Sequence, residues 1–173
     1  MVVRKLNETV KKMYHEGIKD EILVKDAIVN ALGGTCEMST VSEDINKHVD
    51  LWWDSPKKGR LGIDIKGLNK NKRSDKTYST NHWIEAVNVL GRKGWIYGDA
   101  DYIAFRTLTE IMFVEPEDLI KLYETKVSNK ELVFDTPNDC YIPYQRRKWG
   151  RKDIAFKMPD EDLLKISKFI IEL

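Results

Sequence analysis

Apolar and polar residues alternate most cleanly between Val49 and Leu68. In an extended chain Val49, Leu51 and Trp53 point one way, and Asp50, Trp52 and Asp54 point the other. Ser55-Pro56-Lys57-Lys58-Gly59 is turn chemistry. Residues 60–68 form the return strand, with Leu61, Ile63 and Ile65 on one face and Gly62, Asp64 and Lys66 on the other.

Helical spacing precedes this hairpin. Val3, Leu6, Val10, Met13 and Tyr14 predict a helix over 3–15, which Gly17 breaks. Val24, Ala27, Ile28, Ala31 and Leu32 give a broad apolar face over 18–32, ended by Gly33-Gly34. A short strand fits 35–39. After the hairpin, 69–79 is a polar, basic loop. A second helix is expected from Thr80 or Asn81, either of which can cap it, through Trp83, Val87 and Leu90 to Gly91 or Gly94. Residues 102–105 and 111–114 read as buried strands, 116–124 as a short helix opened by proline and acids, and 153–158 as a last strand. A closing helix is expected over 159–173, with Leu163, Ile166 and Ile170 inward. Residues 125–150 show no clear period. The order predicts an α/β or α+β layer fold with a mixed central sheet flanked by helices.

Composition narrows this to a single domain over 1–173. Of 173 residues, 42% are apolar and 33% charged, which is globular rather than disordered. No apolar run approaches the ~20 residues of a membrane-spanning helix, and the amphipathic start is not a secretory signal. Cys36 and Cys140 read as reduced thiols in a cytoplasmic protein, and His15, His48 and His82 lie too far apart to form a local metal-ligand pair.

The net charge of +1 argues for no partner, but its distribution does. Residues 57–76 hold eight basic side chains against two acids, and 145–152 hold five with no acid. Two such patches suit a polyanion. The contacts would come from Lys70, Lys72, Arg73 and Lys76 after the return strand, and from Arg146, Arg147, Lys148 and Arg151 around Trp149. His82, at the start of the expected second helix, could meet phosphate there. Trp52 could pack under a helix or stack on a base.

The chemistry concentrates on Asp50, Asp64 and Lys66. Period-2 geometry puts Asp64 and Lys66 on one face, about 6–7 Å apart along the strand. Asp50, on the hairpin partner, can lie beside Asp64. Paired carboxylates call for a divalent cation, and Mg²⁺ (or Mn²⁺) takes oxygen ligands with substrate phosphate. A neighbouring lysine can orient water or stabilise charge developing on phosphate. A second acid-x-lysine triplet, Glu124-Thr125-Lys126, follows a helical pattern and reads as a solvated helix end.

This arrangement resembles the PD-(D/E)XK nuclease superfamily, with Asp50 as the first acid and Asp64-Ile65-Lys66 as the (D/E)-X-K element. Val49 stands where a proline often precedes the first acid. The resemblance covers residues 18–106 and implies a restriction-endonuclease-like core in the order αβββαβ, with 107–173 as elaboration. It implies metal ligation by Asp50, Asp64 and the backbone carbonyl of Ile65. Many members add a glutamate from the first helix, and Glu21, on the stripe of Val24 and Ile28, is the candidate, with Asp20 and Asp26 as rivals. The run from helix acid through glycine to strand is similar to that of archaeal Holliday-junction resolvases. The resemblance implies a Mg²⁺- or Mn²⁺-dependent deoxyribonuclease leaving 5′-phosphate ends, of the kind found in phages, mobile elements and repair systems. RNA stays open as a substrate, and so does a homodimer, for which no interface signature is visible. The alternative is an inactive protein of the same fold that binds nucleic acid.

Overall fold

The structure, a computed structural model, describes residues 8–70, 77–146 and 150–173, with side chains from residue 17 onward. Helix α1 (Glu8–Leu32) runs unbroken through Gly17. One glycine costs a helix interior only about 1 kcal/mol, and a helix this long absorbs that. It stops at Gly33 and Gly34, whose φ angles of 73° and 85° lie in the left-handed region that favours glycine.

The chain then forms β1 (Thr35–Met38), α2 (Val41–Lys47), β2 (Leu51–Ser55) and β3 (Gly59–Lys66). Thr40 and Glu43 cap α2 reciprocally. The β2–β3 hairpin sets Leu51 opposite Ile63 and Trp53 opposite Leu61. Then come β4 (Asn81–Val87), a 3-10 turn at Trp95–Tyr97, β5 (Tyr102–Arg106) and β6 (Glu110–Val114). The chain closes with α3 (Pro116–Lys126), β7 (Ile154–Pro159), α4 (Asp160–Ile166) and β8 (Phe169–Glu172).

Six strands form the main sheet in the order β1-β2-β3-β5-β6-β8, and β4 pairs with β7 in a separate two-stranded sheet. Among the pairs of named strands β3–β5 alone is parallel; the others are antiparallel. The fold is mixed α/β, with a mostly antiparallel mixed sheet flanked by helices.

Two expected helices are corrected. Residues 81–87 are a strand: His82, Ile84 and Ala86 are buried, while Trp83, Glu85 and Val87 are half-buried on the other side. The antiparallel ladder from β7 stabilises it, and that partner lies far along the chain. The order is therefore not αβββαβ. The closing segment is a helix only to Ile166; Phe169–Glu172 then pairs with β6, leaving Ile170 42% exposed rather than inward.

The sheet has an apolar layer on each face. On one, α1 lays Val24 and Ile28 against Leu51, Ile63, Ile65, Ala104 and Phe113. On the other, Ile103, Phe105 and Met112 pack against Ile84 and Phe156 of the small sheet, Leu119 of α3 and Leu163 of α4. Each fully buried side chain of this size contributes about 1.5–3 kcal/mol, so both layers hold the sheet firmly. Among the described residues no helix is long and apolar enough to cross a membrane.

Candidate active site

Strand β3 has one oily and one polar face, and the difference makes the site. Ile63 and Ile65 are buried beneath α1. Asp64 and Lys66 point to the opposite face. Asp64 is only 2% exposed, and Lys66 Nζ donates to its Oδ1 at 2.7 Å. The Lys66 ammonium also lies over the ring of Trp95, 4.5 Å from its centroid. Gly94 puts Trp95 there: its N–H bonds the Ala86 carbonyl at 2.9 Å, and a Cβ at Gly94 would run into the backbone of Glu85.

Asp50 stands just before β2 and reaches the same place. Its Oδ2 accepts the Ile65 N–H at 2.7 Å, and the two aspartate carboxyls lie within hydrogen-bonding reach of each other. Burial, then the like charge of Asp64, pushes the Asp50 carboxyl up to about 8, against the pull of the Ile65 N–H and Lys66. The other oxygen of Asp64, Oδ2, is buried and accepts no hydrogen bond from any described residue. A buried, unsatisfied carboxylate oxygen beside a second carboxylate costs free energy unless a proton or a cation joins it. The donors are all hard oxygens, which fits a hard divalent cation.

Glu21 does not join this pair. Burial raises its carboxyl, followed by the charges of Asp44 and Asp20. Asp20 itself pairs with Arg106, and Asp26 is exposed. Among the described residues no group of three or more His, Cys, Asp or Glu side chains converges to hold a metal. Ile65 meets the site through its N–H, as above.

The chain matches no family model, no curated protein and no solved structure.

The basic residues divide. Lys57 and Lys58 lie in the turn before β3 and Arg60 at its far end, roughly 20 Å from Lys66 along the strand. There Lys58 donates to the Tyr102 hydroxyl, and Arg60 pairs with Glu37 and Asp54. Lys70 lies over the Tyr78 ring. Lys72, Arg73, Lys76, Arg147 and Lys148 lie outside the described residues. Arg146 lines a cleft beside the site, and Arg151 grips Asp153 through two hydrogen bonds of 2.9 Å.

His82 is corrected: it stands on a strand, not at a helix N-terminus, and is 3% exposed. Its Nδ1 meets Asp160 at 2.9 Å, and its ring packs edge-on to Phe105. Trp52 packs beside α2, its indole N–H donating to Glu43 at 3.2 Å.

Trp95 and Glu85 are the site residues that sequence reasoning missed. Trp95 reads as core by composition alone. Glu85 betrays itself only when 81–87 is seen as a strand, because alternation then puts it beside Trp83, away from the core. Burial raises its carboxyl, then the charge of Asp153, while Lys66 and Arg151 draw it down.

Proposed function

We propose that this protein is a Mg²⁺- or Mn²⁺-dependent nuclease that hydrolyses phosphodiester bonds of DNA. One observation carries the proposal: Asp50, Asp64 and Lys66 meet on one face of the sheet, with a buried Asp64 oxygen that accepts no hydrogen bond from any described residue. Asp50 and Asp64 would hold the cation. Bound there, it would supply Lewis acidity and a more acidic water.

Lys66 fixes a positive charge beside the carboxylates, held by Asp64 and the Trp95 ring. Such a charge stabilises negative charge developing on phosphate. By the family resemblance, water attacks phosphorus, the 3′ oxygen leaves with a proton, and the new end carries the 5′-phosphate. The restriction-endonuclease-like core belongs to this proposal. The β2–β3 hairpin and the parallel β3–β5 pair support it; the departure is that β4 fills the crossover where that core has a helix.

A second reading, a nucleic-acid binder without catalysis, is favoured by Glu21, which faces Asp44 and Asp20 rather than completing a triad. The deciding test is cleavage of plasmid, linear duplex, single-stranded, branched and RNA substrates in Mg²⁺, Mn²⁺ or EDTA. Metal-dependent cutting, lost in Asp64→Ala and Lys66→Ala, is the expected result. Salt-sensitive binding without cutting, unchanged in both variants, would establish the second reading instead.

A further inference from the structure

A cleft of about 280 Å³ opens beside the candidate site. Trp83, Trp95 and Tyr144 supply its aromatic walls, with Glu85, Arg146 and Asp153 around them. The Trp83 and Tyr144 rings sit 5.7 Å apart at 44°, a tilted pair and not a closed stack. The Lys157 ammonium lies over Trp83, 5.5 Å from its centroid. Trp95 is the shared wall, because Lys66 rests over its ring.

We propose that this cleft receives one unpaired nucleobase of a DNA strand whose backbone lies at Asp50, Asp64 and Lys66. The volume lies just below the range of about 300–1,000 Å³ usual for ligand pockets, enough for a single flat group and far too small for a duplex. Aromatic walls suit any base, since every base offers a π-face. The polar groups narrow the choice. The Glu85 carboxylate accepts no hydrogen bond from any described residue, whereas both oxygens of Asp153 already accept from Arg151. A half-buried carboxylate without a donor seeks an N–H edge, and guanine presents two adjacent donors, N1–H and the N2 amino group. Arg146 supplies the donor that guanine O6 and N7 accept. The substrate class is therefore a strand with an unpaired or extruded base, guanine favoured, and not an intact duplex.

The placement of the strand rests on the nuclease reading; the base pocket itself does not. The test measures fluorescence anisotropy of the full-length protein in EDTA. The probes are ten-residue DNA strands made of abasic sites, one carrying a single central guanine and one carrying no base. The base should tighten binding roughly fivefold to a hundredfold. Trp83→Ala should remove that gain, Trp83→Phe should keep most of it, and Glu85→Gln should reduce it for guanine. Melting curves of each variant separate loss of the pocket from loss of the fold. Equal binding of the two strands, or a gain that survives in folded Trp83→Ala, overturns the pocket. Base-dependent binding with no cleavage in Mg²⁺ overturns the nuclease reading and leaves the pocket standing. Cleavage lost in Lys66→Ala, with no effect of the base on binding, does the reverse.

Discussion

Asp64-Ile65-Lys66 and Glu124-Thr125-Lys126 carry the same charges in the same order, and the fold treats them in opposite ways. On β3, residues two apart share a face, so Asp64 and Lys66 form a 2.7 Å ion pair with the acid fully buried. On α3, residues two apart point in divergent directions, so Glu124 and Lys126 cannot meet. All three residues of the second triplet are exposed. Lys126 rests over the Tyr141 ring, and the Thr125 hydroxyl bonds back to the Lys121 carbonyl at 2.7 Å. Between the charges, Ile65 is 9% exposed against the α1 layer, while Thr125 faces water. A short charged motif takes its chemical meaning from the period of the element that carries it.

Four substitution experiments press on this contrast. The largest effect is expected from Lys66→Ala. On the nuclease proposal, losing one fixed charge at a developing anion costs about 10²–10³ in rate, so initial rates of metal-dependent cleavage should fall by that factor. A smaller fall would mean that Lys66 is only the partner of Asp64.

The central residues come next. Ile65→Ala should lower unfolding free energy by about 2–5 kcal/mol in denaturant titrations. Thr125→Ala should stay within about 0.5 kcal/mol of wild type. Similar costs for the two would erase the difference in burial.

A third effect concerns pH in EDTA. The Asp50 carboxyl is raised to about 8 by burial first and by Asp64 second, so the native state binds a proton that the unfolded chain has released. Stability should therefore fall as pH rises from about 4 to about 8, with the penalty complete above that. Asp50→Asn should flatten this slope. In Asp64→Asn, carbon-detected NMR should find the Asp50 titration moved downward, since one like charge has gone. An unmoved Asp50 would show that burial alone raises it.

The smallest effects belong to α3. Glu124→Ala and Lys126→Ala should leave cleavage unchanged and shift stability by less than about 1 kcal/mol, the scale of an exposed cation–π contact. Any loss of cutting there would mean that the second triplet reaches the substrate.

What could be seen in the sequence was local. Alternation over 49–68 sufficed for the β2–β3 hairpin and for the shared face of Asp64 and Lys66, because both follow from a period of two. Gly33-Gly34 marked the end of α1 for a steric reason that any chain would obey. What stayed hidden depended on partners distant along the chain. Trp83, Val87 and Leu90 fit a helical stripe as well as His82, Ile84 and Ala86 fit a strand, and only the β7 ladder decides between them. Phe169–Glu172 is likewise strand because β6 offers a free edge. The candidate site was legible as far as Asp50, Asp64 and Lys66. Its aromatic wall was not, since Trp95 owes its place to Gly94 against the β4 backbone.

The pairing of β4 with β7 also orders events in time. The two acids and the lysine lie within residues 50–66, but the strand that completes the neighbouring cleft spans Ile154–Pro159. At a ribosomal pace of ~5–20 residues per second, the charged cluster emerges several seconds before that strand exists. A nascent or truncated chain thus carries the charged cluster without all the walls of the neighbouring cleft. The cleft is complete only with the last eighth of the protein.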